Sequence, residues 1–481
     1  MTPSSSSSAH GTATLAQGLE RRLPGLSRAL DVEAAGDWLA HTLLDSDSHV
    51  AGVDVGSLWY RADGSCSLRY QVSIDRTALS SRRETVLGRV CSGPDASKRY
   101  LAATLPIADA KGPASPPWRQ WVAVSADSPF VLHPFPIDAD VPTLGRALDL
   151  GRVERLLKHR GGRSPRSVAV VRHNRTGSCV VRYDLSGPGQ LGPGAGPRAV
   201  FGKVYGDDSG GAAYHFLRST RAGQGAGARS RVRTPLPIHY DAASRLLLTE
   251  ALPGTSTLPG LVKAELARSG AGGQAGSGSL ADLVTECGRA LAAVHAGVDV
   301  QVPRRSLRDV AADLRSELDI VGAVWPEQAE HVGSLVDEKL RDALEPPTSV
   351  LCHGDFTPSQ VLVTDGALTG IVDFDTVCWG DPALDLGRYL AHLDLVTTKV
   401  AGPHAEPLTT ALAGTFIDGY LDVTAGSRPL DRTLRRRIDL YRSLSLARTA
   451  LHACRQLKDD RLNLALLLLR TADHRTERVD L

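Results

Sequence analysis

The sequence predicts an α+β chain in which two β-rich units precede a mainly helical half. A strand-turn-strand pattern occurs twice, as SLWYRADGSCSLRYQV and SVAVVRHNRTGSCVVRYDL, each a run of alternating apolar residues broken by a Gly-containing turn. From Leu280 onward, apolar residues recur at helical spacing in LADLVTECGRALAAVHAG and RRRIDLYRSLSLARTALHACRQL. Short apolar runs at residues 349–352, 361–363 and 368–374 interrupt those helices with strands.

At about 150 residues per domain, 481 residues suggest roughly three domains. Lys+Arg 55 against Asp+Glu 53 leaves a net charge of +2, which argues against a protein that coats nucleic acid. A hydrophobic fraction of 42% excludes a wholly disordered chain. The opening MTPSSSSSAHGTATLAQG has neither a basic start nor an apolar run, so residues 1–25 read as a disordered tail and not as a secretory signal. No apolar stretch approaches the roughly 18 residues of a membrane span, and a soluble cytoplasmic protein is expected. Cys66, Cys91, Cys179, Cys287, Cys352, Cys378 and Cys454 are scattered, odd in number and never spaced CxxC. Reduced, buried thiols are therefore expected, rather than a disulfide framework or a zinc site.

Self-comparison predicts an internal duplication. Arg28-Ala29-Leu30-Asp31 recurs as Arg146-Ala147-Leu148-Asp149, an offset of 118, each time opening a helical pattern. Gly64-Ser65-Cys66 and Arg69-Tyr70 match Gly177-Ser178-Cys179 and Arg182-Tyr183 at offset 113, and VLGRV from Val86 matches VFGKV from Val200 at offset 114. Tyr100 and Tyr214 follow on helix-like segments at the same offset, and SPFVLHPFP from Ser128 resembles SRLLLTEALP from Ser244 at offset 116. Residues 26–140 then read as a degenerate copy of residues 146–254, with residues 255–481 forming the helical part. Gly/Pro/Ser-rich stretches at 185–198 and 269–279 read as loops, since they bury too little apolar surface to order themselves.

The chemistry concentrates in VLCHGDFTPSQVLV and LTGIVDFDTVCWGDPALDLGRYL. Asp355 sits on a polar loop just past a strand, where a flanking hairpin can hold it while substrate reaches it. Asp373 ends the next strand, so the two carboxylates can face one cleft. Such a pair suits a proton acceptor together with a ligand for Mg²⁺, which prefers oxygen donors. Gln360 offers an amide oxygen as a further donor. An HGD tripeptide can also be an Asx-turn around a buried histidine, but two ordered carboxylate motifs on successive strands favour the chemical reading. His353 is expected to brace the loop, Asp381 to tie it down, and Asp385 to cap the helix DLGRYLAHL. Asp375 reads either as a metal neighbour or as a solvated turn residue.

These strings resemble the aminoglycoside phosphotransferase and choline kinase family, whose catalytic loop reads HGDxxxxN and precedes a metal-binding DF-type motif. Gln360 in place of Asn is similar to the HxDxxxxQ form of the maltokinase-like and glucosamine-kinase-like members. The resemblance covers about residues 146–481. It implies a bilobal protein-kinase-like fold with a small β-rich N-lobe (146–254) and a helical C-lobe (255–481), here preceded by the degenerate N-lobe-like unit as a cap. It further implies ATP and Mg²⁺ as cofactors, with Asp355 orienting and deprotonating an acceptor hydroxyl and with Asp373 and Gln360 on the metal.

Eight lysines stand against 47 arginines, and Lys203 lies in the middle of the apolar strand RAVFGKVYG. In the resembling kinases this lysine pairs with the α- and β-phosphates of ATP; a snorkelling lysine on an edge strand would look the same. The helix that follows holds only Asp207 and Asp208 at its start, so the family's glutamate partner is missing. The turn His173 to Ser178 is placed to cover phosphates through backbone N–H groups. Leu248 to Leu252 resembles the interlobe hinge, where the backbone of residues such as Glu250 and Leu252 would read adenine; a core strand ending in a turn would look identical. Arg89 stands where the upstream copy would need a lysine, and no HGD or DFD precedes residue 353, so the cap cannot be a complete kinase.

Between His404 and Arg470 eleven Lys/Arg oppose seven Asp/Glu, a balance unsuited to a polycationic acceptor. The expected activity is ATP-dependent phosphorylation of a hydroxyl on a small molecule, such as a sugar, an amino sugar or a biosynthetic intermediate. The alternatives are a Ser/Thr peptide-modifying kinase of the same fold and a non-catalytic nucleotide-binding scaffold.

Overall fold

The computed structural model describes residues 15–76, 79–125, 128–158, 163–174, 177–186, 199–223, 233–254, 258–270, 278–297, 300–341, 349–402, 405–424 and 431–476. Its first unit comprises α1 (Leu26–Leu30), α2 (Val32–Leu43), β1 (Ser48–Tyr60), β2 (Cys66–Arg76), β3 (Leu79–Val90), α3 (Pro94–Lys111), β4 (Ala123–Val124) and β5 (Phe130–Pro134). Asp31 starts α2 by accepting the N–H groups of Glu33 and Ala34, which satisfies two of the donors that a helix leaves unpaired at its N-terminus. Period-two patterning sets the faces of β2: Cys66, Leu68, Tyr70, Val72 and Ile74 are all buried, and the residues between them are half-buried.

The second unit comprises α4 (Leu144–Leu148), α5 (Leu150–Lys158), β6 (Pro165–Asn174), β7 (Ser178–Leu185), β8 (Ala199–Tyr205), α6 (Gly210–Gly223), β9 (Pro237–Asp241) and β10 (Leu246–Glu250). Its sheet has the order β6-β7-β8-β10-β9, and that of the first unit β1-β2-β3-β5-β4. The two orders coincide, and so do the registers. Leu68 faces Gly88 and Gly88 faces Leu132, while Val181 faces Gly202 and Gly202 faces Leu248. Tyr70 donates its hydroxyl to the Ala29 carbonyl at 2.6 Å, and Tyr183 donates to the Ala147 carbonyl at 2.6 Å. Each ring crosses a glycine on the neighbouring strand: a Cβ would stand 3.0 Å from the Tyr70 ring at Gly88 and 2.8 Å from the Tyr183 ring at Gly202.

The units differ in what they pack against. Val141, Leu144, Val153, Val181, Tyr183 and Leu248 close a core within the second unit. The buried residues of the first unit merge with those of the helical half into one apolar cluster. Tyr60 meets Trp325 edge-on at 5.8 Å, and the Trp325 indole N–H donates to the Leu15 carbonyl at 3.1 Å. The tail expected through residue 25 is corrected here: residues 15–20 are helical, and Leu15, Leu19 and Leu23 are buried in that shared core. Four-residue spacing gives them one helical face, whose burial outweighs the polar composition around it.

The helical half contains α7 (Leu258–Gly270), α8 (Gly278–His295), β11 (Arg304–Arg305), α9 (Leu307–Gly322), α10 (Pro326–Leu340), β12 (Val350–Cys352), β13 (Val361–Thr364), β14 (Ala367–Ile371), β15 (Cys378–Gly380), α11 (Pro382–Ala401), α12 (Ala405–Thr424), α13 (Arg432–Arg455) and α14 (Asp459–Thr476). Local signals set its helix starts: Ser306 and Asp309 form a reciprocal capping box on α9, and Asp431 caps α13. β12 sits at one edge of the small sheet β11-β15-β12, and β13 pairs with β14 as a hairpin. Residues 187–198 and 271–277 of the two Gly-rich stretches lie outside the described residues. All seven cysteines are buried and unpaired. Among the described residues, no helix is long and apolar enough to cross a membrane.

Candidate active site

β12 is buried along its length and delivers the chain into His353-Gly354-Asp355. Gly354 has φ 79°, and a Cβ there would collide with the Thr376 carbonyl oxygen, so this turn admits glycine alone. His353 is fully buried; one ring nitrogen meets the Val372 carbonyl at 3.0 Å and the other lies 3.4 Å from the Asp355 amide. These two contacts tie its ring to Val372 and to the amide of Asp355.

The roles expected of Asp381 and Asp385 are exchanged. Asp385 ties down the His353–Asp355 loop, accepting the His353 N–H at 2.6 Å and the Gly354 N–H at 2.9 Å, with the His295 ring nitrogen at 3.1 Å. Asp381 caps α11 through the Ala383 N–H at 3.0 Å and pairs with Arg437 at 2.8 Å. The physical reason lies in the geometry of the helix start. The cap must precede Pro382, whereas a residue one turn further in points its side chain back over the N-terminus, where the loop passes. Burial works to raise the Asp385 carboxyl; His295 and His353 override it and hold it below the ordinary carboxylate range.

Asp355 forms an ion pair with Arg388 at 2.5 Å, and the Gln360 amide nitrogen lies 3.5 Å from its other oxygen. Arg388 escaped sequence reasoning. Its signal was the spacing Asp381, Asp385, Arg388, which places all three on one face of α11. Its Nε is buried without a hydrogen-bond partner among the described residues. Gln360 is buried at the end of a short 3₁₀ turn, and its amide oxygen accepts the hydroxyls of Thr357 and Ser359. As oriented, that oxygen faces hydroxyls and not Asp373. The Val372 N–H donates to the Gln360 carbonyl at 3.0 Å, which keeps the two segments adjacent.

Asp373 follows β14 in the left-handed conformation, φ 73° and ψ 51°. Its Oδ1 lies 2.5 Å from the Lys203 Nζ, and Asp375 takes the same ammonium while accepting the Tyr205 hydroxyl at 2.8 Å. β8 is the central strand of its sheet, so Lys203 is not an edge lysine. Two carboxylates from the helical half thus stand where the missing helix glutamate was expected. Burial favours a neutral Lys203, but Asp373 and Asp375 outweigh it and hold the ammonium above its ordinary pKa. Burial likewise works to raise Asp373, and Lys203 with His353 and Arg172 brings it below the carboxylate range. For Asp375, burial and the neighbouring Asp373 prevail over Lys203, and its carboxyl is raised. Two carboxylates at one ammonium leave an excess negative charge built of hard oxygen donors, a set that fits Mg²⁺.

Glu250 ends β10, where its N–H donates to the Leu236 carbonyl at 2.9 Å. Leu252 packs over Gly370 of β14, close enough that a Cβ there would stand 2.7 Å from its Cδ1. The segment after β10 therefore lies against the hairpin that leads to Asp373. In the turn after β6, Arg175 and Thr176 lie outside the described residues. A cavity of about 870 Å³ opens beside this centre, with Tyr205, Gly206 and Asp375 in its lining. The structure brings Lys203 to Asp373 and Gln360 to Asp355, joined through the braced loop; Glu250 ends β10, and Leu252 follows it.

Residues 211–430 match the model of the phosphotransferase enzyme family. Among solved structures, the chain is similar to a glucosamine kinase bound to glucosamine, ADP and inorganic phosphate, at 21% identity, covering 74% of this chain and 92% of that one with a TM-score of 0.46. It is also similar to a macrolide 2′-phosphotransferase of Brachybacterium faecium, at 19% identity over 67% and 97% of the two chains, TM-score 0.40. A choline kinase of Cryptosporidium parvum shares 11% identity over 65% and 89%, TM-score 0.45. No curated protein matches.

Proposed function

We propose that this chain, whose residues 211–430 match the model of the phosphotransferase enzyme family, moves the γ-phosphoryl group of ATP to a hydroxyl of a small polar molecule, a sugar, amino sugar or biosynthetic intermediate. The observation that carries this reading is the meeting of Lys203 with Asp373 and Asp375, residues some 170 positions apart. A scaffold has no need to gather an ammonium and two carboxylates beside a glycine turn that holds a third carboxylate outward.

In this reading Lys203 receives the α- and β-phosphates, and Glu250 and Leu252 border the adenine. Asp355 accepts the proton of the acceptor hydroxyl and orients its oxygen, while Arg388 holds the Asp355 carboxylate in place. Asp373 and Asp375, with Gln360 once its amide is turned over, would hold Mg²⁺, which when bound neutralises charge on the phosphates. Phosphoryl transfer of this kind depends on positioning and charge neutralisation, not on covalent chemistry by the protein. His353 and Asp381 support the site without touching substrate. The test is Asp355→Ala: turnover of ATP with acceptor falls by at least a hundredfold while ATP binding stays within a few-fold of wild type. A variant retaining near-normal turnover removes Asp355 from the role of base.

A further inference from the structure

We propose that the small hollow between β11, α9, α11 and α13 is a binding site for a small anionic group, a carboxylate in charge and size, supplied either by a free anion or by the acceptor itself. The site follows from the residues that line it; only its bearing on catalysis rests on the phosphotransfer reading above. Arg305 of β11, Arg388 of α11 and Arg448 of α13 converge on the hollow, Tyr441 and Ser445 add hydroxyl groups, and the rest of the lining is valine and leucine. No carboxylate lines it among the described residues. Its volume of about 20 Å³ has room for one or two water-sized groups, which suits the two oxygens of a carboxylate and excludes a sugar ring.

The carboxylates around the hollow do not match its three guanidiniums. Arg388 pairs with Asp355 at 2.5 Å, yet its Nε is buried without a hydrogen-bond partner among the described residues. Arg305 pairs with Asp313 at 2.5 Å, whereas Arg448 meets the same Asp313 at 3.7 Å, beyond hydrogen-bonding distance. Glu317, one turn further along α9, is engaged by Arg455 and His452. Three positive groups against Asp355 and Asp313 leave one positive charge over. Burial pushes Arg448 down to about 10, with Arg388 and Arg305 adding to the fall and Asp313 and Glu317 opposing it. His392, one turn beyond Arg388, is pushed down to about 3 by burial and by Arg388, Arg461 and His452, a second sign of a positive field. A buried donor left unpaired calls for a water or an ion, and the planar fork of a guanidinium fits a carboxylate.

Arg388 both borders the hollow and pairs with Asp355. An anionic group seated there stands one guanidinium away from the proposed base. An acceptor anchored by its own acid is thereby tied to the side chain that positions that base.

The experiment is calorimetric titration of acetate, glycerate and glycerol into the full chain loaded with ADP and Mg²⁺, at an ionic strength fixed with a bulky sulfonate salt, in wild type, Arg448→Met and Arg305→Gln. Glycerate and glycerol differ in the carboxylate alone. Acetate or glycerate is expected to bind at least tenfold more tightly than glycerol, and both variants to weaken that binding at least fivefold with ADP affinity changed less than twofold. Acetate binding at least as tightly as glycerate identifies a free anion as the source, and tighter glycerate identifies an acid carried by a hydroxylated molecule. Asp355→Ala, which releases Arg388, is expected to bind acetate at least as tightly as wild type. A preference for carboxylates below tenfold, a loss below fivefold in either variant, an equal loss of ADP affinity, or weaker acetate binding in Asp355→Ala overturns the proposal. None of those outcomes touches phosphotransfer, which falls only if Asp355→Ala retains turnover.

Discussion

Replacing Asp385 tests whether a residue that touches no substrate sets the geometry of the proposed catalytic loop. Its carboxylate is fully buried and accepts two backbone N–H groups, at 2.6 and 2.9 Å, besides meeting His295. Bonds to an ionised acceptor contribute about 1.5–3 kcal/mol each, so losing both backbone bonds in Asp385→Ala costs about 3–6 kcal/mol, with two buried donors left unpaired. That is a large fraction of the roughly 5–15 kcal/mol by which domains are stable, and the alanine variant will populate unfolded chain. Asp385→Asn is the more informative variant, because its one remaining oxygen serves one donor while its NH₂ opposes the other, for a loss of about half as much. Urea unfolding measures the stability change, and turnover on the folded fraction measures the loop. Asp385→Asn is expected to lower kcat at least tenfold with ATP KM little changed, because the carboxylate of Asp355 is displaced and Lys203 is not. Unfolding of both variants within 1 kcal/mol of wild type, together with unaltered kcat, would refute the reasoning.

Two further outcomes follow from buried charge. Asp375→Asn removes one of the two carboxylates at Lys203, so the Mg²⁺ concentration needed for half-maximal turnover is expected to rise by about tenfold; an unchanged metal titration would exclude Asp375 as a ligand. His133 is fully buried in the cap beside the Tyr100 hydroxyl at 2.7 Å, and burial pushes its pKa down to about 4. A histidine depressed in the fold contributes stability above its unfolded pKa of about 6.5 that is lost as pH falls toward 4. Urea unfolding of the wild type is therefore expected to weaken between pH 6.5 and 4, and His133→Gln to flatten that decline; parallel pH profiles for the two proteins would show that His133 does not titrate on unfolding.

The fold and much of the site were legible because their signals are contiguous. Alternation marks β2 and β7, Gly354 and Asp355 share one loop, and the like offsets of VLGRV and VFGKV anticipate the like position of two central strands. What sequence could not show is which distant groups meet. The partner of Lys203 was sought on the following helix and found at Asp373 and Asp375, because α6 carries no acidic residue and the segment after β14 brings two carboxylates to the ammonium. Asp381 and Asp385 were both recognised, yet which of them caps and which holds the loop depends on where the loop crosses α11. Leu15, Leu19 and Leu23 carried a helical spacing that the serine-rich composition beside them obscured.

The coincidence of strand order and register in the two sheets has a consequence for how this polypeptide reaches its native state. A strand such as β5 is shaped to lie beside β3, and by the same pairing rules it could dock beside β8, trading places with β10; misassembly of this sort is a characteristic failure of repeated domains. Sequence divergence between the halves guards against it. Phe130 reaches over Gly88, whereas Leu246 covers Gly202, so an exchanged strand would leave one sheet overfilled and the other hollow.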